Sequence, residues 1–140
     1  MELARQLCTF EQGKRFKKVD IQDVPYFGWE LEKFHDSLTL PVPRAVVAAA
    51  FKEPDVWPAW SCAELELMWD QIYSVLWPDF RQQFDFKTIA GCPMVLETWK
   101  IYVKEKAFTI NNCRYRAEMR AEGILQLLET GLIRAEVFKV

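Results

Sequence analysis

Between Trp57 and Leu76 the apolar residues Leu65, Met68, Trp69, Ile72, Tyr73 and Leu76 recur at three- and four-residue steps. That spacing draws one wide apolar stripe down a helix. Ser61 followed by Glu64 has capping-box spacing: the hydroxyl accepts from an orphan amide, and the carboxylate accepts from the cap's own N–H. Pro58, with Trp57 and Trp60, sets how the chain enters, and Pro78 stands just past Leu76 as a stop signal. A helix over 62–76 is predicted, and the rest of the chain is organised around it.

Upstream, Leu3, Ala4 and Leu7 mark a short helical lead-in within residues 1–8. Thr9 and Gln12 repeat the capping-box spacing and open the helix FEQGKRFKKV. Its wheel sets Phe10, Gly13, Phe16 and Lys17 along one side, and Glu11, Lys14, Arg15 and Lys18 towards water. Gly13 costs this helix about 1 kcal/mol relative to alanine, so docking must supply its stability. The Lys14–Lys18 cluster reads either as an anion site or as cations suited to the end of a helix dipole.

Residues 24–34 alternate, with Phe27, Trp29 and Leu31 on one face and Tyr26, Gly28 and Glu30 on the other, as in a half-buried strand. His35-Asp36-Ser37 is a turn, and LTLPV a short return strand that its proline confines to an edge. Pro43 at a first helical position opens RAVVAAAFK, which Pro54 closes. Apolar nearly all round, this segment is either deeply packed or half of a subunit interface.

Beyond the central helix, FDFKTIA and MVLETWKIYVKE are strand-like, joined by the turn Gly91-Cys92-Pro93, and KAFTINN is a third strand. The bulky residues Phe84/Phe86, Val95/Trp99/Ile101/Val103 and Phe108/Ile110 face the helices in this reading. Asp85, Lys87, Thr98, Lys100, Tyr102, Thr109 and Asn111 take the other face. Leu96 breaks the alternation, which means a bulge or a different register. A last helix spans about 115–130, with Ala117, Ala121, Ile124, Leu125 and Leu128 buried and Glu118, Arg120, Glu122 and Gln126 in water. Gly131 and Leu132 make a Schellman stop. RAEVFKV is either a frayed tail or an added edge strand. The fold class is α+β: an antiparallel sheet of four to six strands packed on one face by two main helices, plus a short N-terminal helix. No repeat or linker divides the chain, so 1–140 is read as a single domain.

At 140 residues, 51% of them apolar, the chain can bury a core and is not expected to be disordered. A net charge of −2 gives no field for duplex nucleic acid. No apolar run approaches the roughly 20 residues that span a bilayer, and MELARQLCTFEQGKR lacks a signal core, so the expected location is cytoplasmic, with no membrane partner. Cys8, Cys62, Cys92 and Cys113 lie far apart with a single histidine to help them. They read as reduced, mostly buried thiols, and neither a metal site nor a cofactor is expected.

Three pieces are similar to a known family: TFEQGKRFKKVDI leading into YFGWEL, then PAWSCAELELM, then RAEGILQLLETGLI. Together they resemble a family of small uncharacterised α+β proteins carried by bacteria and their phages. That pattern has a T-x-E-Q-A-K-x-L helix before a Y-F-Y-W strand, an A-F-T-x-A-E-L helix mid-chain and a final helix ending in Leu-Ile. The resemblance implies the fold and a mobile-element setting, hence the host cytoplasm if the protein is phage-encoded. It carries over no catalytic residue. Gly13 stands where the pattern has alanine, which weakens the helix. Gly28 stands where it has tyrosine, which removes an aromatic that could stack on a ligand.

No catalytic constellation stands out. Glu64 and Glu66 diverge on a helix, and Asp79, Asp85 and Glu97 converge only if the sheet register allows it. His35 falls in a turn, and neither G-x-S-x-G nor a phosphate loop is present. What remains is a surface: Lys87, Lys100, Tyr102 and Asn111 on the open sheet face, with Arg114 and Arg116 just beyond. Such groups hold a flat ring by stacking and a phosphate by charge-assisted hydrogen bonds, although the same composition also suits a plain solvated face. The expected function is a non-enzymatic binding protein that sequesters a nucleotide-derived signal of host immunity. The alternative is an inhibitor or adaptor that binds a host or phage protein through Ala45–Phe51 or an exposed sheet edge. Residues 40–60 hold more apolar surface than one short helix buries, which predicts a homo-oligomer through that segment.

Overall fold

Two capping boxes start two helices as their spacing requires. Thr9 Oγ1 accepts from the Gln12 amide at 3.1 Å while Gln12 Oε1 accepts from the Thr9 amide at 3.0 Å, opening α1 (Phe10–Val19). Ser61 and Glu64 do the same at 3.2 and 3.0 Å for α2 (Cys62–Leu76). These come from a computed structural model that describes residues 3–35, 37–88, 95–111 and 113–138; the side chains of 84–97 lie outside that description. The Gly91-Cys92-Pro93 turn therefore falls outside the described residues.

Between the two helices run β1 (Phe27–Phe34), β2 (Leu38–Ala45) and β3 (Val56–Ala59); after α2 come β4 (Phe80–Thr88), β5 (Val95–Val103), β6 (Lys106–Ile110) and α3 (Arg116–Glu129). The α+β class with helices packed on antiparallel sheet is what the pattern predicted. The strands divide, however, into two three-stranded sheets, ordered β2-β1-β3 and β4-β5-β6.

Four local expectations are corrected. Pro43 opens no helix: it lies in β2, opposite Trp29, and only Ala48–Lys52 coils, as one short 3-10 turn. Pro41 and Pro43 are two residues apart, so their missing N–H groups share the outer side of an edge strand, where no ladder bond is lost. Val56–Ala59, read only as a lead-in, pairs with Phe27–Glu30. The C-terminal Ala135–Phe138 is a 3-10 turn with Phe138 buried, neither a frayed tail nor a strand. The β4–β5 ladder runs unbroken through the pair Lys87–Leu96, so Leu96 marks no bulge.

The main core lies between the β4-β5-β6 sheet and the helices and contains Leu65, Met68, Trp69, Ile72, Trp99, Ile101, Val103, Ile124 and Leu125. Trp99, Ile101, Val103 and Ile110 face it, as their parity predicted. A smaller core, Leu7, Trp29 and Ala59 with Phe10, Phe27 and Trp57, sits under the other sheet. Helix α1 bridges the two: Phe16 enters the main core and Phe10 packs on the small one. Their close docking depends on Gly13, where a Cβ would meet the Pro58 carbonyl oxygen at 2.5 Å.

Arg15 and Glu122, both assigned to water above, instead tie α1 to α3. Arg15 donates to Glu122 at 2.6 Å and to Glu129 at 2.5 Å, and Gln12 Nε2 donates to the Glu118 carbonyl at 2.8 Å. α3 ends in the expected Schellman motif: Gly131 N donates to Leu128 O, and Leu132 N to Leu127 O at 3.0 Å. Among the described residues no helix is long and apolar enough to cross a membrane.

Candidate functional site

The open side of the second sheet holds two of the residues predicted to meet a ligand, Lys100 and Tyr102. Along β5 the buried Trp99, Ile101 and Val103 alternate with half-buried Lys100 and Tyr102, which therefore share the opposite face. On β4, Gln83 lies across from Lys100 and Arg81 across from Tyr102; Thr109 of β6 lies across from Lys100 on its other side. The Arg81 guanidinium sits 5.4 Å from the centre of the Tyr102 ring. Arg81 was missed in the sequence, although it alternates with Gln83 in the same run.

The other predicted residues are more scattered. Lys87 lies on β4 across from Leu96, its side chain outside the described residues. Asn111 and Arg114 are exposed beyond β6, and the Arg114 amide donates to Glu118 at 2.8 Å. Arg116 opens α3, which packs on the buried side of the sheet. Its charge, with that of Arg120, acts on Cys62 at the start of α2. Lys100 and Tyr102 are thus brought together, and Arg116 stands with α2 instead. For the carboxylates, pairing sets Asp85 across from Thr98 and Glu97 across from Phe86, one step out of phase.

A second surface is the β1–β2 hairpin. β3 pairs with β1 only as far as Glu30, so Leu31–Phe34 and their partners Leu38–Pro41 run on as a two-stranded arm. Phe34 lies across from Leu38, and Glu32 across from Leu40, so alternation sets Phe34, Leu38 and Leu40 on one face. All three are exposed, as is Leu31 on the opposite face, and Val47 just past β2 is 73% exposed. Arg44 on the Phe34 face is clamped by Glu32 and by Glu30 at 3.7 Å. Gly28 keeps the base of the arm close: a Cβ there would meet Val46 and Val56 at 3.1 Å.

The polar cluster along α1 is largely committed to the fold. Glu11, Lys14, Arg15, Lys17, Lys18 and Trp57 line a groove of about 360 Å³ along α1. Lys14 pairs with Glu11 at 3.0 Å, Arg15 with α3, and Lys17 donates to the carbonyls of Glu53 and Val56. Burial alone would raise the Glu122 carboxyl; hydrogen bonds from Arg15 and Gln12 outweigh it and hold the group below its ordinary value.

Between α2, β4 and α3 a groove of about 290 Å³ is lined by Glu66, Trp69, Asp70, Tyr73, Gln82 and Arg120. Trp99 Nε1 donates to Gln82 Oε1 at 3.0 Å, which turns the amide so that Nε2 donates to the Tyr73 hydroxyl at 3.0 Å. Burial pushes the thiols of Cys8 and Cys113 up to about 12, and Cys62 is raised by burial and then by Glu66. No group of three or more potential metal ligands occurs among the described residues.

Comparison with family models, characterised proteins and solved structures returned no match.

Proposed function

We propose that this chain is a non-enzymatic protein-interaction module, and that its contact surface is the β1–β2 arm with the segment that follows it. The observation that supports this reading best is the group Phe34, Leu38 and Leu40, exposed on one face of an arm that extends past β3, with Leu31 exposed on its other face and Val47 exposed just past β2. Large apolar side chains grouped in water on one face are costly and mark sites of association. Pro41 and Pro43 remove donors from the outer edge of β2, so contacts there run through side chains rather than strand addition. The same surface covers part of 40–60, and a symmetric pair of chains meeting there is one form the association takes. A mobile-element setting, with binding to a host or phage protein, fits the family resemblance.

The test is affinity capture from cells producing the protein, with light scattering alongside, comparing the native chain with Leu38→Lys and Leu40→Lys. Partner recovery or self-association lost in both variants, with melting temperatures unchanged, supports the arm. Recovery and mass unaffected by either substitution would reject it.

A second reading rests on Arg81 over Tyr102 with Lys100 on the same face: sequestration of a nucleotide-derived ligand by the open sheet. Incubation with cyclic and ADP-ribose-derived nucleotides, heat release and chromatography tests it. Intact ligand supports sequestration, altered ligand points to an enzyme, and no thermal shift with any nucleotide removes this reading.

A further inference from the structure

A different surface, on the solvent side of α2, has the composition of a docking groove. The irregular segment after α1 runs beside α2 and encloses with it about 590 Å³, lined by Asp23, Val24, Tyr26, Trp60, Leu67 and Met68 among others. Two large side chains here are unusually open: Tyr26 is 78% exposed and Leu67 65%. Trp60, 3% exposed, forms part of the floor here and also lines the neighbouring groove beside Phe51 and Pro58.

The charge of the groove is one-sided. Glu64 and Asp70 of α2 join Asp23 in its lining, which includes no lysine, arginine or histidine. α2 itself carries no basic residue from Cys62 to Leu76. The ion pairs of the described residues use Glu11, Glu30, Glu32, Glu122 and Glu129 and leave these three carboxylates out. Glu64 is partly committed, accepting from the amides of Ser61 and Tyr26. A carboxylate-rimmed apolar groove favours ammonium and guanidinium groups and repels acidic ones.

We infer that this groove docks a basic segment of a partner protein: a large apolar side chain seated between Tyr26 and Leu67, flanked by lysine or arginine facing Asp23 and Asp70. Tyrosine and tryptophan with an apolar anchor are the usual centre of such contacts, and an amphipathic segment laid in a groove is a recurring mode. None of the exposed arm residues lines this groove, so the inference does not depend on the arm.

The probe is a short amidated peptide of alternating leucine and lysine pairs, with a counterpart carrying glutamate for lysine. Binding to the full chain is followed by the peptide's fluorescence anisotropy at low salt. The lysine peptide is expected to bind and the glutamate peptide not to. Leu67→Lys and Asp70→Lys, both at exposed positions, are each expected to weaken binding at least about tenfold, the scale of one lost charge-assisted contact. Leu40→Lys in the arm should leave binding intact. Equal binding of both peptides, no binding of the lysine peptide, or binding indifferent to Leu67→Lys and Asp70→Lys would overturn the inference.

Discussion

Replacing Gly13 by alanine sets helix propensity against packing. In isolation the change favours α1 by about 1 kcal/mol. In the fold the new methyl would sit 2.5 Å from the Pro58 carbonyl oxygen and 3.1 Å from Trp29 Cδ1, where ordinary contact begins at 3.4 Å. The helix and β3 must therefore part by about 1 Å at this point. The oxygen is backbone, and Pro58 is held opposite Gly28 in the β1–β3 ladder, so it cannot swing aside as a side-chain end would. Retreat of α1 loosens the edge-on contact of Phe10 with Trp57 at 5.1 Å and the Lys17 bond to Val56 O. Overpacking costs about 1–3 kcal/mol, and a backbone oxygen that cannot swing aside puts this contact in the upper part of that range, about 2–3 kcal/mol. That outweighs the propensity gain and leaves a net loss of about 1–2 kcal/mol. For a chain of this length the loss lowers Tm by about 3–8 °C. Thermal and urea melts should compare Gly13→Ala with the native chain and with Gly131→Ala. Gly131 has open space around it but a φ of +76°, so its cost, about 1–2 kcal/mol, is conformational alone. A Gly13→Ala chain melting at or above the native temperature would refute the close approach of α1 to β3.

The other expectations concern the core and its ionisable groups. Gly123→Ala should destabilise by about 1–2 kcal/mol in urea melts, because overpacking where its Cβ would meet Trp69 at 2.7 Å and Trp99 at 2.8 Å outweighs the gain of about 1 kcal/mol in helix propensity; unchanged stability would mean that these rings do not pack on α3. Glu122 has a lowered folded-state value, so its contribution is complete above the ordinary carboxylate range and fades as pH falls through the folded value. The stability gap between the native chain and Glu122→Gln should therefore narrow in acid, and a gap that widens below pH ~4 would contradict the pairing with Arg15. Cys8, fully buried with its thiol pushed up to about 12, should resist alkylation at neutral pH until the chain unfolds. Rapid labelling of Cys8 in the native chain, read by mass spectrometry, would show that the segment before α1 is not seated.

The parts that were legible in the sequence are those decided locally. Thr9–Gln12 and Ser61–Glu64 specify their helix starts within four residues, and Gly131 specifies a stop by its backbone conformation. Alternation along β5 placed Trp99 and Ile101 in the core and Lys100 and Tyr102 outside. What was misread depends on partners far along the chain. Pro43 suits a helix start and an edge strand equally well, and only its pairing with Trp29 decides. β3 is four residues long and contains a proline, so nothing in Val56–Ala59 marks a strand before β1 is present beside it. Gly13 read as a defect because the Pro58 carbonyl that requires it is 45 positions away. The candidate site was legible to the same degree: Lys100 and Tyr102 share a face by local alternation, whereas Arg116 left the group because α3 docks on the other side. The apolar surplus of 40–60 was visible, but its placement on an arm beyond β3 was not.

The arm itself is tested most directly by a photo-crosslinking side chain placed at Leu40, with Thr109 on the open sheet face as the comparison. In cells producing the protein, the Leu40 position should yield one discrete adduct, a second copy or a single partner, and Thr109 should yield none. Adducts from Thr109 with none from Leu40 would contradict the arm as the contact surface and move the interaction to the sheet face.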